Sequence, residues 1–89
     1  MRAPDRHSEP VRRQVVLYTR PGCHLCDDAR VVLLDARSRT PFDLREVDIE
    51  TSDALLGEYG LRIPVVVVDG TEAFEYTVDP AALDAVLRR

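Results

Sequence analysis

Two cysteines are all this 89-residue chain has, too few for the multi-bridge framework that holds small secreted domains together. Long apolar runs are also missing. None approaches the ~20 residues that a membrane-spanning helix needs, so no transmembrane segment is expected. The first dozen residues, Met1 to Arg12, lack the apolar stretch of a secretory signal, which makes a cytoplasmic location the expectation. In that compartment a close cysteine pair is more often catalytic, redox-sensing or metal-binding than structural. Positive charge is in deficit: the net charge of −4 speaks against nucleic acid, for which a basic face is expected. Lysine is absent, all twelve basic residues being arginine, and no folding argument accounts for it. There is no internal repeat, and a second core does not fit in a chain of this length.

The charge that is present is unevenly placed. In residues 1–13, Arg2, Arg6, Arg12 and Arg13 outnumber Asp5 and Glu9, a net +2 that leaves −6 for the rest. That segment also carries Pro4 and Pro10, has no periodicity and is poor in apolar residues, so a disordered N-terminal arm over 1–13 is expected ahead of a domain over 14–89.

From residue 14 the pattern becomes regular. Gln14 to Thr19 is a β-branched, nearly continuous apolar run that ends at Arg20-Pro21-Gly22, as a strand buried on both faces would. From Cys23 to about Ser38 the period turns helical, with Leu25, Ala29, Val32, Leu33 and Ala36 on one stripe. Thr40-Pro41 ends that helix, and Phe42 to Ile49 alternates apolar and polar as a half-exposed strand. A helical crossover between two strands implies parallel pairing. Thr51, Ser52 or Asp53 can cap a short second helix through Tyr59, with Gly60 as its stop. Ile63-Pro64 leads into the buried run Val65 to Val68, and Asp69-Gly70 signals a hairpin returning over Thr71 to Tyr76. Asp79-Pro80 reads as an N-cap and first helical position, opening a last helix with Leu83, Val86 and Leu87 on one face. The order βαβαββα gives an α/β domain with a four-stranded mixed sheet.

Chemistry concentrates at Cys23-His24-Leu25-Cys26, at the first strand–helix junction. A sulfur at a helix N-terminus meets unpaired backbone N–H groups, which lower a thiol pKa from about 8.5 to roughly 3.5–7.5. Asp27 and Asp28 oppose this, but they can point to water while the amides act at contact distance. Cys26, one turn on, can then attack a mixed disulfide formed at Cys23. Two buried packing cysteines are the plain alternative, and Arg-Pro-Gly just before Cys23 weighs against it. Zinc needs four ligands, and only His7 and His24 remain to supply two, His7 in the arm and His24 pointing away from any shared centre, so no metal is expected. His24, when protonated, is a candidate to stabilise the Cys23 thiolate; an exposed side chain at a helix start is the equal alternative.

Tyr18-Thr19-Arg20-Pro21-Gly22-Cys23-His24-Leu25-Cys26, together with Arg62-Ile63-Pro64-Val65, resembles the glutaredoxin branch of the thioredoxin superfamily over about residues 14–89. The resemblance implies a thioredoxin-like fold, four strands flanked by three helices. It implies that Cys23 is the nucleophile and Cys26 the resolving thiol, that Pro64 is a cis-proline facing the disulfide, and that Ile63 offers its backbone to a substrate strand. Arg20 falls where such proteins place a cation beside the nucleophile, making it a substrate-binding candidate. The implied activity is thiol–disulfide exchange on protein or mixed disulfides, by a monomer without a bound cofactor, with a reductase or low-molecular-weight thiol as electron donor. The chain departs from the pattern in three ways. No proline follows Cys23, no tryptophan precedes it, and Phe74-Glu75 stands where glutaredoxins carry the Gly-Gly that docks glutathione, which disfavours glutathione. Two other readings stay open: a redox-sensing or adaptor domain using the same pair, and an iron–sulfur carrier, since relatives lacking that proline can share a cluster between subunits.

Overall fold

The computed structural model describes residues 12–89. The disorder expected for residues 1–11 lies outside the described residues. Arg13, placed in the arm from sequence, instead opens the first strand opposite Phe42.

The chain runs β1 (Arg13–Thr19), α1 (His24–Arg39), β2 (Phe42–Asp48), a 3-10 turn (Ile49–Thr51), α2 (Asp53–Tyr59), β3 (Val65–Val68), β4 (Thr71–Glu75) and α3 (Pro80–Leu87). The four strands form one sheet in the order β2-β1-β3-β4. β1 pairs with β2 in parallel and with β3 antiparallel, and β3 pairs with β4 antiparallel. This is the βαβαββα order and mixed sheet read from the sequence. Among the described residues no helix is long and apolar enough to cross a membrane.

Register decides what each face carries, because alternate residues of a strand point to opposite sides. Val15 and Leu17 of β1 lie opposite Val68 and Val66 of β3, and all four are buried. With Phe42, Ala29, Leu33 and Ala36 of α1, and Leu83 and Leu87 of α3, they form the core. The other face of β1 holds Val16 and Tyr18, which are only half-buried. The expectation that β1 is buried on both faces therefore fails on this side. α2, at seven residues, covers it only in part, Tyr59 lying against Tyr18.

The helix ends follow ordinary capping chemistry. Ser52 accepts the Leu55 N–H to start α2, and Asp79 accepts the Ala82 N–H to start α3, with Pro80 at the first position. Gly60 ends α2 in a right-handed conformation, φ −53°, and not in the left-handed turn its glycine suggests. The buried stripe of α1 runs through Cys26, Ala29, Leu33 and Ala36. Leu25, assigned to that stripe from sequence, stands 43% exposed.

At the β3–β4 hairpin Asp69 and Gly70 both have positive φ, 49° and 85°, the signature of a type I′ turn whose twist suits the strands. The Asp69 carboxylate accepts the Gln14 N–H and the Arg13 guanidinium, each at 2.9 Å. These bonds, the amide first, hold its pKa below the ordinary 3.8. A carboxyl depressed by folding stabilises the protein above its unfolded pKa, and that contribution is lost as pH falls through the folded value. Asp69→Asn, which tolerates the same backbone, is expected to lower the melting temperature near neutral pH. It should also flatten the decline in melting temperature as pH falls below the ordinary 3.8. Thermal melts that fall in parallel for the two proteins would remove Asp69 from the acid response.

Candidate active site

β1 ends at Thr19, and the chain must reverse to lay α1 back over the core. Pro21 fixes φ for a turn and Gly22 supplies the positive φ, 78°, that a side chain would resist. Cys23 then takes the N-cap of α1 in an extended conformation, φ −92° and ψ 109°. Its Sγ accepts the N–H of Cys26, the third helical residue, at 3.1 Å. A sulfur thus occupies the place that serine or aspartate oxygen usually fills at a helix start.

Cys23 and Cys26 are joined as a disulfide, with Cα atoms 5.2 Å apart. The two sulfur-bearing residues differ in access: Cys23 is half-buried, whereas Cys26 has 0% exposure. His24 and Leu25, between them, are exposed. Among the described residues no three His, Cys, Asp or Glu side chains gather into a metal-binding group.

The Ile63–Pro64 bond is cis. Antiparallel pairing of Tyr18 with Val65 brings Pro64 to the end of the sheet where β1 leads into Cys23, so the motifs read separately in the sequence share one end. Tyr76, just past β4, donates its N–H to the Pro64 carbonyl at 2.9 Å and joins the same end.

Arg20 does not stand as an unengaged cation. Its guanidinium bonds Glu50 at 2.8 Å, because β2 ends level with β1 and the 3-10 turn that follows carries Glu50 within reach. Arg30 is tied to Glu46 and Asp27, which together raise its pKa further. Phe74 is half-buried against the core, and Glu75 bonds Arg62 at 3.0 Å. The next residue, Tyr76, has its backbone N–H taken by the Pro64 carbonyl.

Two features at this end escaped the sequence reading. Thr19 is 7% exposed and its hydroxyl has no hydrogen-bond partner among the described residues. It lines a cleft of about 210 Å³ with Pro21, Gly22, Asp27 and Asp48. The second is a column of three side chains. Tyr18 stacks on Tyr59, centroids 4.1 Å apart, and Arg62 lies 5.3 Å from the Tyr59 ring. Burial first, then Tyr18, raises the Tyr59 pKa. Arg62 also bonds Glu72 at 2.8 Å and Glu58 at 3.2 Å, and in return it lowers the Glu72 pKa. A bulge allows this: Val66 faces Phe74 but Val67 faces Glu72, so the extra residue turns Glu72 and Glu75 to one side of β4. Only the Glu58–Arg62 spacing of four could have been read in advance.

Comparison with known proteins places this geometry. Residues 14–88 match the family model described as "Glutaredoxin-like domain (DUF836)". An uncharacterized protein of Mycobacterium tuberculosis is 35% identical over 83 residues, covering 88% of this chain and 86% of that protein. An X-ray structure of a protein from X. campestris is 37% identical with a TM-score of 0.72, covering 83% of this chain and 95% of that one. A mutant thioredoxin from Halobacterium salinarum, 22% identical, has a TM-score of 0.64 over 85% of this chain and 72% of its own, a likeness of fold.

Proposed function

Because the chain belongs to the glutaredoxin-like domain family, we propose that it is a dithiol–disulfide oxidoreductase acting on disulfides of protein partners. The observation that carries this reading is the Cys26 N–H directed at Cys23 Sγ at the start of α1. The same amide, with the partial positive charge of the helix N-terminus, favours a thiolate on Cys23 once the bridge is reduced. The half-buried sulfur is the one a substrate can reach, and the fully covered one is protected for the second step.

The reaction balances over both steps. The Cys23 thiolate attacks one sulfur of the substrate disulfide; that S–S bond breaks, and the first substrate thiolate leaves and takes up a proton. Cys26 gives up its proton and attacks the Cys23 sulfur. The mixed disulfide breaks, the second substrate thiol departs, and Cys23–Cys26 closes. Two electrons pass from the protein dithiol to the substrate. An external thiol or a reductase returns them by the reverse exchange.

Ile63, just ahead of β3 at the sheet end where β1 leads into Cys23, offers its backbone to an added substrate strand. His24, exposed at the first position of α1, adds positive charge beside Cys23 when protonated. Arg20 contributes only if a substrate carboxylate displaces Glu50. Glutathione is a poor fit, since Glu75 repels its glutamyl carboxylate. The direct test is turnover of insulin and of a peptide mixed disulfide with dithiothreitol as donor. Reduction faster than dithiothreitol alone is expected; reversible oxidation of the pair without turnover on either substrate would favour a redox sensor instead.

A further inference from the structure

Leu61 is 92% exposed, the most exposed large apolar side chain among the described residues. Single exposed leucines are common and need no purpose. This one is held in place. The Tyr76 hydroxyl donates to the Leu61 carbonyl at 2.9 Å, while the Tyr76 N–H holds Pro64. Arg62, the next residue, is bonded to Glu72 and Glu75 of β4. A loop pinned at three places does not expose leucine through slackness.

Tyr76 adopts a backbone that a bulky residue resists. Its φ is 68°, and the Thr77 N–H bonds the Glu75 carbonyl across it at 2.8 Å, a γ-turn of the strained kind. The arrangement leaves the Tyr76 ring 47% exposed beside Leu61. Leu25, exposed between the cysteines, belongs to the same sheet end. The charge beside this apolar surface is net negative: Glu58, Glu72 and Glu75 surround a single Arg62.

We infer that Leu61 and Tyr76 form an apolar ledge for a substrate polypeptide, which seats an aliphatic side chain there next to its disulfide and directs a basic residue to the carboxylates around Arg62. This rests on the oxidoreductase reading and names its substrate class: an extended cationic segment of a protein, and not a small anionic thiol. Strand addition at Ile63 sets the segment's path, and the ledge and carboxylates select its side chains.

The test compares kcat/KM for two peptides, each with its cysteine capped by thionitrobenzoate, one flanked by Leu and Arg and the other by Ser and Glu. Hydroxyethyl disulfide serves as the small reference. Wild-type protein is expected to prefer the Leu–Arg peptide by about tenfold. Leu61→Ser should cut that preference about fivefold, the worth of one partly covered leucine. Glu75→Gln should reduce the part of the preference that added salt removes. Equal rates on the two peptides, or an unchanged preference in both variants, would overturn the ledge while leaving the oxidoreductase reading intact. Failure to reduce either peptide or the reference would overturn both.

Discussion

The Cys26→Ser variant is expected to stop at the first chemical step and accumulate as a covalent adduct with its substrate. Cys26 has no exposure and sits one helical turn from Cys23, at a Cα separation of 5.2 Å that lies within the range for bridging. In the proposed reaction it therefore resolves a mixed disulfide intramolecularly. Well-oriented intramolecular groups act at effective concentrations far above the millimolar thiol of an assay. Without Cys26 the adduct waits for an external thiol, and dithiol turnover should fall by about a thousandfold or more. Mass spectrometry of the trapped species would show the partner bound at Cys23, and recovery from cell extract would identify partners. Cys23→Ser should neither turn over nor trap. Wild-type turnover by Cys26→Ser would leave Cys26 without a resolving role, and any adduct on Cys23→Ser would reverse the order of attack.

Phe42→Ala carries the largest expected loss of stability. Phe42 opens β2, has no exposed surface and packs in the core between sheet and helices. Emptying such a site costs about 3–5 kcal/mol, from lost transfer energy and from the cavity left behind. Small domains have about 5–15 kcal/mol in total, so the melting temperature should drop by about 12 °C or more. Leu25→Ala is the control, since Leu25 stands 43% exposed and should cost under about 1 kcal/mol. Urea melts of the two variants decide between the buried stripe seen in α1 and the stripe read from periodicity, which included Leu25. Comparable losses at the two sites would contradict the packing described here.

The features legible in the sequence are those written in neighbouring residues. Cys-x-x-Cys after Pro-Gly, the Asp-Gly hairpin, Asp79-Pro80 at a helix start and Ile63-Pro64 before a strand each draw their conformation from local backbone chemistry. The features that escaped depend on register and distance. Periodicity located α1 and its inward stripe through Ala29, Leu33 and Ala36, but not the first turn: with Cys23 as the N-cap, the stripe starts at Cys26 and leaves Leu25 outside. Arg20 met Glu50 thirty residues on, because two parallel strands end level. The bulge that turns Glu72 and Glu75 toward Arg62 leaves no mark in an alternating pattern. The family resemblance supplied roles for residues, while the charge balance around them had to come from the folded chain.

All of the proposed chemistry depends on the Cys26 amide and the start of α1 holding negative charge on Cys23. The rate of iodoacetamide alkylation at Cys23 in the reduced protein, followed by site-resolved mass spectrometry across pH, measures this directly. A midpoint near or below neutrality is expected; a midpoint at the ordinary thiol value of about 8.5 or above would contradict it.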